Sequence, residues 1–207
     1  MKKLIVFDLD GVLIDSLSNM EMSWNCVQEA HKIEIPFSEY KKQIGKPFFD
    51  ILTELGITKN HRLIKKTYDE ASNWGLDEVT LYPNTIETLK KIKSKGYKIA
   101  ICTSKDFERV KKVIASLILD GHDFPSFDYV CSPKKGLRGK PAPDQLLNTI
   151  AHCNVDPHET YYVGDMQSDM FCANRAGVDF IHAEYGYGEV ECEVSLKSIN
   201  NLISLLD

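Results

Sequence analysis

Asp8 and Asp10 stand two residues apart at the end of the run Leu4-Ile5-Val6-Phe7, and Gly11 follows them. The run is short, apolar and partly β-branched, so it reads as a buried strand. Two unpaired carboxylates at the end of such a strand are costly to desolvate, so they must meet a cation or water. A divalent metal is one solution, because hard cations take oxygen ligands. The other is an Asp-Gly turn whose acids face solvent. On these residues alone the two readings stand level.

Three further stretches end an apolar run in polar chemistry. Lys98-Ile99-Ala100-Ile101-Cys102 leads into Thr103-Ser104. Phe127 to Cys131 leads into a polar loop, 132–143, that carries Lys134, Lys135, Arg138 and Lys140. Tyr161-Tyr162-Val163 leads into Gly164-Asp165, with Asp169 four residues on. In open parallel sheets ligands sit outside the carboxyl ends of the strands. Asp8, Asp10, Asp165, Asp169, Thr103, Ser104 and Lys140 on one such edge suit a phosphate and a divalent metal. Phosphoryl transfer needs charge neutralisation and donors on the phosphate oxygens. Plainer roles exist for each group. Thr103-Ser104 caps the following helix, and we expect it both to cap and to bind. Lys140 alone reads as a solvated loop lysine, and Asp165 and Asp169 alone as helix-capping and first-turn acids. Lys134, Lys135 and Arg138 read as a solvated face.

The elements that must position these groups alternate. Amphipathic helices are expected over 84–95, 107–119, 144–153 and 168–176, with strands over 98–102, 127–131, 161–163 and 178–182. A closing helix is expected over 195–206. Strands alternating with helices argue for βαβ units around a parallel sheet. Between about 16 and 80 only helices are expected. One starts at Ser16 as N-cap with Met20, Trp24, Val27 and His31 on one face. A second carries the stripe Phe48, Ile51, Leu52 and Leu55, and a third runs from Arg62 to Trp74, closed by Gly75. This helical block, inserted after the first strand, suggests a separate cap over 16–81. The core is then 1–15 and 82–207.

The 207 residues carry 43% hydrophobic and 27% charged side chains, which is ordinary globular composition. A formal net charge of −5 argues against nucleic acid as a partner, since backbone binding needs a basic face. No apolar run approaches the length of a membrane span. The basic start Met1-Lys2-Lys3 leads into an apolar run that breaks at Asp8, which reads as a strand and not a signal peptide. Six cysteines without a C-x-x-C pair read as reduced cytoplasmic thiols in core positions, not a disulfide frame or a zinc site.

Four signatures occur in order: Asp8-Leu9-Asp10-Gly11-Val12-Leu13-Ile14-Asp15-Ser16, then Ile101-Cys102-Thr103-Ser104-Lys105, then Gly139-Lys140-Pro141-Ala142-Pro143-Asp144, then Val163-Gly164-Asp165-Met166-Gln167-Ser168-Asp169-Met170. Together they resemble the haloacid dehalogenase-like superfamily, in particular its phosphatases with a small N-terminal helical cap. Tyr82-Pro83-Asn84 and Tyr185-Gly186-Tyr187-Gly188 resemble the phosphoglycolate-phosphatase-like subgroup. Ser104 departs from it, since asparagine is frequent there. The resemblance covers essentially the whole chain. It implies an α/β fold: a Rossmann-like doubly wound parallel sheet with an inserted α-helical cap. It implies a Mg2+-dependent phosphatase for a small phosphorylated metabolite. Asp8 would be the nucleophile and form an aspartyl-phosphate. Asp10 would be general acid and then base, with its backbone carbonyl on the metal. Asp165 would be a direct metal ligand, and Asp169 would support the metal shell or orient Lys140. Lys140 would neutralise Asp8 and the phosphoryl group, and Thr103 and Ser104 would hold phosphate. Lys46, after Gly45, lies where the family often places a substrate-facing cap residue, against the ordinary solvated lysine. A phosphosugar mutase of the β-phosphoglucomutase kind shares every catalytic residue. A dehalogenase would leave Asp10 and Asp165 superfluous. A non-enzymatic binding or regulatory protein would be favoured by a broken motif, and none is broken. Membrane partners are not expected, and the sequence fixes no oligomeric state.

Overall fold

The computed structural model describes residues 1–206. Strand β1, Leu4–Phe7, is fully buried. Its side chains alternate between faces, as strand geometry requires. Ile5 and Phe7 enter one hydrophobic cluster, and Leu4 and Val6 enter another on the opposite face. A strand buried on both faces belongs inside a parallel sheet, and β1 lies there.

The chain then forms β2 (Ile14–Asp15) and four helices: α1 (Leu17–His31), α2 (Phe37–Lys41), α3 (Phe48–Glu54) and α4 (His61–Trp74). Strand β3 (Thr80–Leu81) returns antiparallel to β2, pairing Leu81 with Ile14 and Thr80 with Asp15. Alternation follows: α5 (Thr85–Ser94), β4 (Lys98–Cys102), α6 (Phe107–Leu119), β5 (Tyr129–Cys131), α7 (Asp144–His152), β6 (Thr160–Gly164), α8 (Gln167–Ala176) and β7 (Asp179–Ala183). The chain closes with β8 (Ser195–Leu196) and α9 (Leu202–Leu205).

The main sheet is six-stranded and parallel, in the order β5-β4-β1-β6-β7-β8. Helices α5, α6 and α9 cover one face through Leu89, Ile92, Val110, Val113, Leu117 and Leu202. The other face is covered by α7 and α8 through Leu146, Ile150, Cys172 and Ala173. The strand order reverses at β1, so the crevice beyond its carboxyl end is the expected ligand position. Phe7 is level with Ile101 and Val163, so the ends of β1, β4 and β6 open together.

Helices α1 to α4 bury their own cluster, which includes Met20, Trp24, Val27, Tyr40, Ile51, Leu52, Ile64 and Tyr68. Trp24 is fully buried and its indole N–H donates to the Ile35 carbonyl at 2.9 Å. Truncating it to alanine removes a large buried ring, a loss of about 3–5 kcal/mol.

Several expectations differ from the structure. The expected helix over 195–206 is replaced by β8, a 3-10 turn over Ile199–Asn201 and the short α9. Ser195 and Leu196 pair with His182 and Ala183, which covers what would otherwise be an open sheet edge. The β2/β3 ribbon is absent from the sequence reading because two-residue strands carry no periodic signal. Ser16 precedes α1 but makes no side-chain cap bond; its hydroxyl is spent on Asp10. Cys26 is exposed rather than in the core, whereas Cys102, Cys131, Cys153 and Cys172 are buried and all six thiols are free.

Candidate active site

Asp8 continues β1 by one residue, its N–H donating to the Val163 carbonyl at 2.9 Å. Its carboxylate is almost wholly buried. Oδ1 accepts from the Leu9 N–H at 2.7 Å and pairs with Lys140 Nζ at 3.0 Å. Burial pushes the Asp8 carboxyl up to about 7 against the pull of Lys140. Such a group needs further positive charge nearby to stay ionised at neutral pH.

Lys140 comes from the polar loop after β5, and its side chain has no solvent exposure. It therefore is not the solvated lysine of the plainer reading. A second ion pair, to Asp169 Oδ1 at 2.7 Å, holds it from the other side. Burial alone would lower its ammonium, but Asp169 and Asp8 outweigh that and hold it well above the usual lysine value. Asp169 lies in the first turn of α8. Its Oδ1 accepts from the Tyr162 hydroxyl at 3.0 Å and its Oδ2 from the Met166 N–H at 3.1 Å. Asp169 thus caps α8 and aims Lys140 with the same carboxylate.

Asp165 directly follows β6 and has no exposed surface. Oδ2 accepts from the Tyr187 N–H at 2.8 Å, while Oδ1 is buried without a partner among the described residues. Burial, then Asp169 and Asp8, push its carboxyl well above the usual carboxylate range. Gly11 and Gly186 pack against it. A Cβ at either would run into the Asp165 side chain, and Gly11 also has a φ of +80°. One oxygen from each of Asp8, Asp165 and Asp169 lies within 4.8 Å of the others. An orphaned buried carboxylate oxygen in an acid cluster fits a divalent cation.

Asp10 lines the same cavity as Asp8. Its Oδ1 accepts from the Ser16 hydroxyl at 2.5 Å and pairs with Lys105 Nζ at 3.1 Å. Both contacts fall on one oxygen. The loop after β7 braces this side. The Tyr187 hydroxyl accepts from the Ser16 N–H at 2.7 Å, and the Tyr185 hydroxyl donates to the Val12 carbonyl at 3.0 Å. Sequence reasoning did not assign Lys105, Ser16, Tyr162 or Tyr187. Tyr162 had a findable signal: it shares the β6 face that continues toward Asp169, two residues from Thr160 and Gly164.

Thr103 is buried beside Asp8 and Asp10, and its hydroxyl accepts from the Lys105 N–H at 3.2 Å. The cap of α6 is Asp106, whose Oδ1 accepts from the Arg109 N–H at 3.1 Å. The expectation that Thr103-Ser104 caps this helix is therefore corrected: the helix starts later, and the stronger carboxylate acceptor takes the cap. Ser104 instead donates its hydroxyl to the Gly45 carbonyl at 2.5 Å, a bond from the sheet edge to the helical block. Lys46 is partly exposed and contacts Gln43 Oε1 at 2.8 Å and Glu54 Oε1 at 3.8 Å. It lines a cavity of about 200 Å³ between the sheet edge and α1–α4, which Asp8, Asp10, Thr103 and Ser104 also line. Lys134 and Lys135 are exposed, and Arg138 pairs with Asp144 Oδ1 at 2.8 Å, as a solvated face would.

A doubly wound sheet with an acid-and-lysine site at its switch point defines a class. The profile of the haloacid dehalogenase-like hydrolases matches residues 5–183, and the chain belongs to that family. The chain is 28% identical to the phosphoglycolate phosphatase of Psychrobacter arcticus, over 90% of this chain and 85% of that one. It is also 28% identical to the phosphoglycolate phosphatase of Aquifex aeolicus, over 99% and 97%. The crystal structure of a hydrolase from Pseudomonas syringae shares the fold with a TM-score of 0.88 at 19% identity, covering 99% of this chain and 98% of that one. No helix among the described residues is long and apolar enough to cross a membrane.

Proposed function

We propose that this chain is a Mg2+-dependent phosphatase that hydrolyses a small phosphorylated metabolite through an aspartyl-phosphate on Asp8. The observation that carries the reading is the buried Asp8 carboxylate, 3.0 Å from Lys140 and clustered with Asp165 and its partnerless oxygen. The activity for which the relatives are named supports the reaction class. Asp8, Asp165 and the backbone carbonyl of Asp10 would hold the metal, with Asp169 behind them. When bound, the metal supplies positive charge that offsets the carboxylates and the incoming phosphoryl oxygens.

An Asp8 oxygen attacks phosphorus, the phosphorus–oxygen bond of the ester breaks, and the departing alcohol takes a proton from Asp10. Water then gives a proton to Asp10 and attacks phosphorus, which releases phosphate and restores Asp8. Lys140 and Thr103 neutralise and hold the phosphoryl oxygens. We take residues 16–81 as a cap that closes on the site, excludes bulk water and brings Lys46 toward the substrate. Free thiols throughout the chain support a reducing, cytoplasmic setting. The test is phosphate release from p-nitrophenyl phosphate. Release should need Mg2+, stop in chelator and vanish in Asp8→Asn with the fold intact. Turnover by Asp8→Asn beyond a trace would overturn the assignment.

A further inference from the structure

We infer that the leaving group is a compact apolar or aromatic body, one ring in size, rather than a short carboxylated or polyhydroxylated chain. The inference rests on the phosphatase reading and names its substrate class.

Beyond Asp8 and Asp10 the cavity is walled by Tyr40, Ile44, Phe48, Phe49 and Tyr68. The rings form a continuous surface. Phe48 and Tyr68 have centroids 4.9 Å apart, Tyr40 and Tyr68 are stacked at 5.8 Å, and Phe48 meets Phe49 at 6.3 Å. Phe49, on the rim, is 43% exposed. The Tyr40 and Tyr68 hydroxyls are the polar atoms that these rings bring to the wall. These walls offer area and shape, and few free hydrogen-bond partners.

Three of the four cations that line the cavity are already paired with a carboxylate. Lys46 contacts Gln43 and Glu54, Lys65 pairs with Asp69 at 2.5 Å and Asp106 at 3.3 Å, and Lys105 pairs with Asp10. Arg109 is buried and has no carboxylate in ion-pair reach among the described residues. Its guanidinium donates to the Ser72 hydroxyl, the Asp69 carbonyl at 3.5 Å and Asn73 Oδ1 at 3.4 Å, all on α4. A glycolate carboxylate would have to displace one of these arrangements. Sugar hydroxyls would lose water and find few partners, a penalty that an apolar pocket limits to about a hundredfold. The size agrees. An apolar cavity of roughly 150 Å³ takes a benzene ring, and this one is about 200 Å³.

The test compares three primary alkyl phosphates with similar leaving groups: benzyl phosphate, glycerol 1-phosphate and 2-phosphoglycolate. Acetyl phosphate, which needs no ring pocket, reports the phosphatase reading separately. Benzyl phosphate should exceed the other two in kcat/KM by about tenfold or more, the usual reach of an apolar pocket. Phe48→Ala and the gentler Phe48→Leu should shrink the benzyl-to-acetyl ratio several-fold. In Asp8→Asn with Mg2+, benzylphosphonate should raise Tm more than phosphonoacetate does. Acetyl phosphate turnover with no benzyl preference would overturn this inference and leave the phosphatase reading standing. A preference for phosphoglycolate that vanishes in Arg109→Gln would overturn it too, assigning the guanidinium to a substrate carboxylate. Inert acetyl phosphate would remove the phosphatase reading, and equal stabilisation by the two phosphonates would then remove the pocket's selectivity as well.

Discussion

The two walls of the cavity are built on different physics. The sheet-edge wall is charged and almost fully bonded: Lys140 lies between Asp8 and Asp169, and Asp10 between Ser16 and Lys105. The helical wall is apolar and held by ring packing among Tyr40, Phe48 and Tyr68. Positions on the first wall are fixed by charge, so replacing one group there leaves its partners stranded in a low dielectric. Positions on the second are fixed by volume, so single replacements cost what the lost contacts were worth. On the proposed reading, a site made this way would hold the phosphoryl group rigidly and let the other wall set which alcohol leaves.

The largest separation between the walls is expected at Lys140. Lys140→Ala leaves Asp8, Asp165 and Asp169 buried with no cation among them, which should cost about 3–5 kcal/mol and abolish turnover. Phe49→Ala, on the exposed rim of the other wall, should stay within roughly 1 kcal/mol in stability. Urea unfolding of both variants in metal-free buffer checks the pair. Equal losses would mean that the charged wall is not held by Lys140.

Asp10→Asn comes next. If Asp10 protonates the leaving group, alkyl phosphates should lose about a hundred- to ten-thousand-fold. An acyl phosphate hardly needs the proton, so Asp8 should still be phosphorylated. Hydrolysis would then lack its base and the phosphoenzyme should accumulate. Intact mass after a rapid quench with acetyl phosphate should show one added phosphoryl group. Equal, mild losses on both substrate types with no adduct would make Asp10 a structural acid.

Metal-free protein should show a smaller and opposite effect at Asp165. Its carboxyl, like that of Asp8, is pushed up by burial and by the neighbouring acids. The native state then binds protons that the unfolded chain has released, so stability falls as pH rises from about 4, the unfolded value, toward about 7, the folded value of Asp8. Asp165→Asn removes one of the charges and should raise Tm in chelator at pH 8, with little gain at pH 4. In Mg2+ the gain should disappear. Calcium, which takes more and longer oxygen bonds, should inhibit. A Tm lowered by Asp165→Asn in chelator would contradict the strain assigned to this cluster.

The same contrast explains what could be read in advance. Asp8, Asp10, Lys140, Asp165 and Asp169 were legible as an ordered set of strand-end signatures, since each taken alone has a plainer role. The parallel sheet was legible because its helices carry periodic apolar stripes, such as Leu89 and Ile92 on α5. Lys105 was not, since nothing local shows that it reaches Asp10. Nor was the aromatic wall, because Tyr40 and Tyr68 stand on different helices and look like ordinary core residues. The end of the chain misled because Ser195 and Leu196 answer to the open edge of β7 and not to their own periodicity.

The smallest effect concerns the contact between the walls. The Ser104 hydroxyl donates to the Gly45 carbonyl, and a neutral hydrogen bond is worth about 0.5–1.5 kcal/mol net. Its loss in Ser104→Ala should move the balance between closed and open cap by roughly threefold to tenfold. The consequence is read without any substrate: amide hydrogen exchange over 45–47 should quicken by about that factor, while exchange in β1 and β6 stays unchanged. Ser104→Thr keeps the hydroxyl and should restore protection. In turnover the variant should lose kcat/KM by a similar factor for benzyl and glycerol phosphates alike, since an opened cap serves neither. If exchange over 45–47 is untouched while affinity for inorganic phosphate drops, the hydroxyl belongs to the phosphate and not to the cap, and the two walls meet only through the substrate.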